Sequence, residues 1–132
     1  MNAHVLIITP EAEPLPRLLT GTEIPLSRRN PFHLVTAEWL SAALIIIDDR
    51  CSTALFELGF PRRRDVLLLG KNLDDATIFG RGVALGVEAV VHLPDAAAWL
   101  ELRAHAATGG VYVQWERLLG PGTGEPSGGP VP

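Results

Sequence analysis

The sequence predicts an α/β fold, a three-layer sandwich in which a five-stranded parallel sheet lies between two layers of helices. The first observation is the run from Ala43 to Asp49, where four consecutive branched apolar residues are followed by two carboxylates. A strand with no polar residue on either face is typical of the middle of a parallel sheet, because helices cover both faces. The second observation is that similar short apolar runs alternate along the chain with helical patterns of roughly ten residues.

Composition limits the class of protein. A chain of 132 residues with 47% apolar and 20% charged residues is typical of one globular domain. Its net charge of −4 gives no electrostatic reason to expect binding to nucleic acid or to anionic lipid. The single cysteine, Cys51, excludes an internal disulfide, and the first residues lack the basic-then-apolar pattern of a signal peptide. No apolar run approaches the ~20 residues that cross a bilayer, so we expect a cytoplasmic protein without direct membrane insertion.

The N-terminal part of the chain is expected to hold two strands and one helix. The apolar run His4–Ile8 predicts the first strand. Glu11–Gly21 predicts a short helix, because a proline suits its first turn and a glycine its end. Two segments qualify for the second strand, Glu23–Ser27 and Phe32–Thr36.

The position of the second strand decides where the next helix begins. We favour Glu23–Ser27 for the strand, because Asn30 and Pro31 are a suitable N-cap and first-turn pair for a helix. The apolar residues of that helix recur at helical spacing: Phe32, Val35, Trp39 and Ala43.

Further helices and strands follow the central strand. Ser52–Leu58 predicts a short helix, and Asp65–Gly70 predicts a fourth strand that is covered on both faces. Glu88–Leu93 predicts the fifth strand. Residues 95–107 predict the last helix, whose expected buried residues are Trp99 and Leu100.

The helix after the fourth strand is the fourth in our prediction, and it is rich in glycine. It is expected to begin after Asn72, and its three glycines each weaken it by about 1 kcal/mol relative to alanine. Its expected buried stripe is Leu73, Ala76, Gly80, Val83, Ala84 and Val87. Ile78, Phe79 and Leu85 then lie off this stripe and should be partly exposed.

Five strand–helix units in about 105 residues match the receiver-like, flavodoxin-like architecture, with strand order 2-1-3-4-5. The predicted domain covers residues 1–108. Residues 109–119 form a short amphipathic extension that either packs on the domain or meets a partner. Residues 120–132 are rich in Gly and Pro and are expected to be a disordered tail or a linker.

The receiver architecture allows phosphotransfer to be examined residue by residue. A phosphoaccepting receiver needs an acidic pair after the first strand, an Asp ending the third, Ser or Thr ending the fourth, and Lys before Pro after the fifth. Here the sequence at 9–11 is Thr-Pro-Glu, the fourth strand ends in Gly70, and Leu93 precedes the proline. Only the third-strand acids, Asp48 and Asp49, remain. We expect this phosphoacceptor position to be inactive, with its acids capping the next helix or facing solvent.

Other signals for chemistry are weaker. Gly80-Arg81-Gly82 imitates a phosphate loop but lies within a helix, and the glycine-lysine pair at 70–71 lacks the remaining residues of a P-loop. The histidines have no metal-ligand spacing, and Cys51 has no designated base nearby. The Arg62–Arg64 run could touch an anionic partner, but we favour a solvated basic turn. We expect no catalytic residue, no metal and no cofactor.

Several segments carry a resemblance to a known family. They are Trp39–Asp48 with Asp49-Arg50-Cys51, Pro61-Arg62-Arg63 before Val66–Gly70, Val83–Glu88, His92–Asp95, and Trp99-Leu100. Over roughly residues 4 to 107 they resemble the N-terminal receiver-like (CheY-like) domain of the septum-site-determining, CpaE-like proteins of actinobacteria. The Trp before the third strand and the Leu-Pro-Asp after the fifth are unusual in ordinary receivers.

The resemblance implies a non-phosphorylated receiver that precedes a MinD/ParA-like ATPase and is linked to septum placement or to pilus and secretion machinery. After Gly109 and Gly110, where a linker and a deviant Walker motif would follow in that family, this chain has Tyr112–Leu119 and a Gly/Pro tail. We therefore do not expect the nucleotide-dependent roles of the family to carry over.

The function we expect is that of a non-catalytic pseudo-receiver, an interaction or regulatory domain linked to septum-site determination or to CpaE-like pilus or secretion assembly. One alternative is an enzyme or a phosphoaccepting receiver that uses Asp48 or Asp49 with Glu11. Another is a small-ligand sensor at the strand ends.

The expected partner is another protein or a second copy of the chain, not nucleic acid. It should bind the face formed by the fourth predicted helix and the fifth strand, with Phe79 as its apolar anchor. Besides Phe79, the members of this predicted surface are Ile78, Arg81, Leu85 and Glu88. The competing possibility is that Phe79 folds inward to fill the space left by Gly82.

Overall fold

A computed structural model describes residues 3–10, 24–72, 74–93 and 95–109. The strands within these residues are β1 (Val5–Ile8), β2 (Leu26–Arg29), β3 (Leu44–Asp48), β4 (Val66–Gly70) and β5 (Ala89–His92). The α-helices are α1 (Thr36–Ser41), α2 (Ser52–Leu58), α3 (Thr77–Leu85) and α4 (Ala97–Ala107), with 3-10 turns at Pro31–His33 and Asp49–Cys51. The helix α3 is the fourth predicted helix, the one that follows the fourth strand.

The five strands form one parallel sheet in the order β2-β1-β3-β4-β5, which confirms the predicted fold. The alternation of short apolar runs with helices produces this order, because each helix returns the chain to the starting edge of the sheet. The register places Asp48 beside Leu69 and Gly70 beside His92. The carboxyl ends of the central strands therefore meet at one edge of the sheet, where ligands of open α/β sheets bind.

Helices cover both faces of the sheet, which explains why the central strands contain no polar residues before Asp48. Alternate side chains of β1 and β3 point to opposite layers. One layer packs against Leu100 and Ala104 of α4 and contains Val5, Ile7, Leu44, Ile46, Leu67, Leu69 and Val91. The other packs against Trp39, Leu55 and Ile78, from the other three helices, and contains Leu6, Ile8, Ile45, Ile47, Val66 and Leu68.

The second strand overlaps the favoured segment. It begins at Leu26, and the carbonyl of Pro25 already accepts a hydrogen bond from the amide of Val5 at 2.9 Å. Asn30 caps the following turn as predicted, since its side chain accepts from the amide of Phe32 at 2.9 Å. The turn is only a 3-10 turn, however, and it ends before the extended residues that precede α1.

The predicted apolar stripe of the next helix was therefore wrong. Because the chain is extended between the 3-10 turn and α1, the stripe does not continue through it. Phe32 is 71% exposed and Val35 is 54% exposed, whereas Trp39 is buried at 2%. Leu34, which lies outside the stripe, packs into the core instead.

The helix α3 begins later than predicted and presents a different face to the core. The side chain of Asn72 accepts from the amide of Asp74, and that of Asp75 accepts from the amide of Thr77, each at 3.0 Å. These two local turns delay the helix to Thr77. As a result Ile78, predicted to be partly exposed, is buried at 2%, and Val83, predicted to be buried, is 75% exposed.

The last helix, α4, buries Leu100 as predicted but leaves Trp99 43% exposed, contrary to prediction. The predicted helix Glu11–Gly21 lies outside the described residues. So do residues 110–132, which hold the rest of the predicted amphipathic extension and the predicted tail. No helix in the described part of the chain is long and apolar enough to cross a membrane.

Candidate functional site

The acids Asp48 and Asp49 lie at the carboxyl end of the central strand, as predicted. Asp48 is the last residue of β3, and Asp49 begins the 3-10 turn that leads into α2. This position follows from the sequence, because the apolar run ends where the chain leaves the sheet. The two carboxylates nevertheless have different partners.

Asp48 is held by Arg50, two residues later. Its Oδ1 accepts from the Arg50 amide at 3.0 Å, and its Oδ2 lies 2.8 Å from the Arg50 Nη2. Burial raises the pKa of Asp48, but the side-chain and backbone hydrogen bonds from Arg50, with the charges of Arg50 and Lys71, together lower the pKa below its ordinary value. The Asp48 carboxylate is therefore ionised and paired. It caps the turn, as expected from the sequence.

Asp49 is held by Arg81 of α3. The Arg81 Nε donates to Oδ1 at 2.9 Å and the Nη2 donates to Oδ2 at 2.7 Å, so the guanidinium binds both oxygens of the carboxylate. Ser52 adds a third hydrogen bond, from its Oγ to Oδ1 at 3.1 Å. The Asp49 side chain is only 23% exposed.

Arg81 is itself fixed from the other side. Its Nη2 also donates to Asp75 Oδ2 at 2.8 Å, and its Nη1 donates to Thr77 Oγ1 at 2.7 Å. The hydroxyl of Thr77 in turn donates to Asp75. The hydrogen bonds to Asp49 and then Asp75 raise the pKa of Arg81 above its ordinary value. The turn that delays α3 thus also orients the arginine that neutralises Asp49.

The carboxyl end of β4 is closely packed, so a side chain there would require the Ile78 side chain to shift. A Cβ on Gly70 would lie 2.6 Å from Ile78 Cδ1 and 3.3 Å from His92 Cδ2. The His92 Nε2 is buried and has no hydrogen-bond partner among the described residues. Leu93, at the position where receivers carry lysine, is half-buried and packs against the core. Apolar atoms and an imidazole ring therefore surround the carboxyl end of β4.

The described acids do not fit the divalent cation on which receiver chemistry depends. The carboxylates of Asp48 and Asp49 are both hydrogen-bonded to guanidinium groups. Glu11, the acid that follows the first strand, lies outside the described residues. Within the described ranges no group of three or more His, Cys, Asp or Glu side chains could hold a metal ion.

Cys51, beside this site, is 1% exposed. Burial, followed by the charge of Asp48, raises the pKa of its thiol to about 11. A thiol in this state is protonated at neutral pH and is a poor nucleophile, so the Cys51 environment is that of a core residue.

The Arg62–Arg64 run has a structural role that the sequence did not reveal. Arg63 donates to two carbonyls at the end of α1, those of Trp39 and of Ala42, the latter at 2.7 Å. Arg62 donates to the Ala84 carbonyl at the end of α3 at 3.2 Å. Cations at helix C-terminal ends are stabilising, but only the folded topology shows which helices end beside this loop.

The residues predicted to form the interaction surface do not lie together on an open face. Ile78 is in the core, and Leu85 is half-buried against it. Arg81 binds Asp49, and Glu88 pairs with Arg103 of α4 at 3.0 Å.

Phe79 is the predicted surface residue that does present its apolar side chain to solvent. It is 54% exposed, and its ring lies 6.1 Å from that of His92 on β5. It does not fill the space beside Gly82, because the atoms nearest to a Cβ at that position belong to Val87 and Val90. Val83, four residues later on α3, is 75% exposed, and residues at this spacing lie on the same side of a helix.

Comparison with known proteins identifies the family. A family model described as "Rv3660c-like, CheY-like N-terminal domain" matches residues 13–112. Comparison with the curated proteins found no match, and comparison with the solved structures found none either. The family match covers most of the chain and agrees with the observed strand order, so the chain belongs to the Rv3660c-like family of CheY-like N-terminal domains.

Proposed function

We propose that this receiver-like regulatory domain is a pseudo-receiver, which acts through protein contacts and carries out no phosphotransfer or other catalysis. The observation that carries the proposal is the pair of hydrogen bonds that the Arg81 guanidinium donates to Asp49, from Nε at 2.9 Å and from Nη2 at 2.7 Å. The neighbouring acid, Asp48, is paired with Arg50 in the same way. The charges at the phosphoacceptor position are therefore balanced within the protein.

The arginines that neutralise Asp48 and Asp49 oppose phosphotransfer because they compete with the cation that the reaction needs. In an active receiver a divalent cation neutralises the acids and the incoming phosphoryl group. Here a cation would have to displace guanidinium groups that already bind the carboxylates with directed hydrogen bonds. Gly70 and Leu93 supply neither the hydroxyl nor the ammonium group that would bind the phosphoryl oxygens. No phosphorylation signal is expected to originate at this site.

The domain is then expected to act through a surface, and Phe79 with Val83 is the candidate. Two large apolar side chains exposed four residues apart on α3 favour contact with an apolar surface of another protein or of a second copy of the chain. The resemblance to septum-site-determining, CpaE-like proteins supports a role in septum placement or in pilus or secretion assembly, in the cytoplasm. Ile78 is not part of this surface, because it is buried.

Phosphorylation by a small donor tests the proposal. The full chain is incubated with acetyl phosphate and magnesium, and its intact mass is measured beside that of an active receiver treated in the same way. We expect no phosphoryl adduct on this chain. An adduct that disappears in Asp48→Ala or in Asp49→Ala would identify a working phosphoacceptor and overturn the proposal.

A further inference from the structure

A cavity of about 220 Å³ lies between the C-terminal ends of α2 and α3. Its lining includes Gly59, which directly follows α2, and Leu85, the last residue of α3. Both helices return the chain from the carboxyl edge of the sheet to the edge where the strands begin. The cavity is therefore separate from Asp48 and Asp49, which lie at the carboxyl edge.

The walls of this cavity are largely aromatic. Trp39 and Leu55, each only 2% exposed, lie at its base. The Trp39 ring stacks on that of Phe60 with the ring centroids 5.3 Å apart, and its Nε1 donates to the Pro61 carbonyl at 2.8 Å. These contacts fix the aromatic wall, so little conformational freedom remains to be lost when a ligand binds.

Phe56 also lines the cavity, and it is 60% exposed. A planar ring placed between Phe56 and Phe60 would cover the exposed phenylalanine and pack against aromatic faces. Aromatic pairs of this kind are favourable beyond the apolar area that they bury. The walls therefore favour an aromatic ligand.

Arg62 is the charged side chain among the described residues that line the cavity. Its Nη2 donates to the carbonyls of Val83 at 3.4 Å and of Ala84 at 3.2 Å. Its Nη1 lies against Gly86, where a Cβ would approach it to 2.6 Å. The guanidinium is thus held beside the cavity, while its Nε and Nη1 make no hydrogen bond to a described residue. Both groups can donate to a carboxylate.

The charge of Arg62 selects the charge of the ligand. The C-terminal ends of helices carry partial negative charge, which by itself would attract a cation. Arg62 already supplies that cation at the end of α3, through the two carbonyls that it binds. No described acid pairs with Arg62. An anionic group on the ligand therefore complements the site, whereas a second cation would be repelled.

We propose that this cavity binds a small aromatic carboxylate, with its ring between Phe56 and Phe60 and its carboxylate on the Arg62 guanidinium. The cavity is smaller than the ~300–1,000 Å³ of sites for drug-sized ligands, so it suits a molecule with a single ring. The proposal is independent of the pseudo-receiver function. It also leaves Phe79 and Val83 open on α3, because neither residue lines the cavity.

Titration of the full chain with phenylacetate tests the proposal, and the backbone amide resonances of Gly59 and Ala84 report on the cavity. Phenylacetamide, which has the ring without the charge, and acetate, which has the charge without the ring, are the control ligands. The matched variants are Arg62→Gln and Arg64→Gln, each of which removes one positive charge from the same loop.

We expect saturable shifts of both amides with phenylacetate. Binding should be weaker by about tenfold or more with phenylacetamide, with acetate, and in Arg62→Gln, because each loses the aromatic contact or the charge-assisted hydrogen bonds. Arg64→Gln should bind phenylacetate as the wild type does. The comparison of acid with amide is made in the wild type, so it does not depend on the folding of a variant.

The absence of saturable shifts at Gly59 and Ala84 would overturn the proposal. Equal affinity of the wild type for phenylacetate and phenylacetamide, or for phenylacetate and acetate, would do the same. Equal loss of binding in the two variants would also overturn it, since the loop would then act only through its net charge.

Discussion

Arg81 binds both carboxylate oxygens of Asp49, although 32 positions separate the two residues in the sequence. This pair joins the carboxyl end of the central strand to α3, the helix that carries the exposed Phe79 and Val83. In this domain an acid at the phosphoacceptor position, Asp49, therefore connects the sheet to the candidate interaction helix α3.

The pairing of Asp48 predicts a pH dependence of stability. Because folding lowers the pKa of Asp48, the ionised form stabilises the fold above the ordinary pKa of ~3.9, and this contribution is lost as the pH falls through the folded-state value. Asp48→Asn keeps the turn cap but removes the charge. We expect it to melt at a lower temperature than the wild type at pH 7, with a difference that begins to decrease below about pH 4 and vanishes once the pH is below the folded-state pKa of Asp48.

Asp74→Asn, which removes the same charge from an exposed turn residue, serves as the control for net charge. Thermal unfolding monitored by circular dichroism at several pH values measures the difference. If Asp48→Asn and the wild type differ equally at pH 3 and pH 7, the pairing with Arg50 does not contribute in the way described.

The loop between α2 and β4 should stabilise the fold through Arg63. Arg63→Gln removes the donors to the Trp39 and Ala42 carbonyls, both of which lie at the end of α1. We expect a loss of about 1–2 kcal/mol in the free energy of unfolding, measured by urea denaturation. Arg64→Gln, at the exposed neighbouring residue, should change it by less than ~0.5 kcal/mol. Equal effects would show that the loop acts only through its net charge.

Phe79 should matter for association and not for stability. Phe79→Ser removes the proposed anchor, while Phe56→Ser removes a similarly exposed phenylalanine from α2, which is 60% exposed. Sedimentation at rising protein concentration should show weaker self-association only for Phe79→Ser, with both melting temperatures close to that of the wild type. A melting temperature several degrees lower with unchanged association would make Phe79 a core residue and refute its role as an anchor.

Gly70 should not tolerate the hydroxyl that active receivers carry at this position. In Gly70→Ser the new Cβ would lie 2.6 Å from Ile78 Cδ1, within a packed core, and we expect a cost of about 1–3 kcal/mol in unfolding free energy. Gly80→Ala is the control, because a Cβ there meets nothing within 4 Å and alanine should stabilise α3 by about 0.5–1 kcal/mol. Stability of Gly70→Ser equal to the wild type would mean that this strand end can accept a receiver side chain.

The sheet could be predicted from the sequence because each strand is marked by a short run of consecutive apolar residues. The apolar runs at β1, β3 and β4 have no polar residue to place on either face, and their alternation with helices specifies the parallel order. The predicted short helix at Ser52–Leu58 was also confirmed, because Gly59 ends it in the left-handed conformation.

The face of α3 and the partners of the arginines could not be predicted in this way. Two side-chain turns at Asn72 and Asp75 delay the start of α3, and the shorter helix buries Ile78 and Gly82 instead of the predicted stripe. The pairs of Arg81 with Asp49 and of Arg63 with the end of α1 depend on contacts between distant segments. No spacing in the sequence indicates such pairs.

The most direct test of the pseudo-receiver proposal is a titration of the full chain with magnesium and beryllofluoride, followed through the backbone amide resonances of Asp48 and Asp49. Beryllofluoride imitates a bound phosphoryl group and needs both a free carboxylate and a cation. We predict that these resonances do not shift, because Arg50 and Arg81 already neutralise the carboxylates. A saturable, magnesium-dependent shift at Asp48 or Asp49 would contradict the account and establish a working phosphoacceptor.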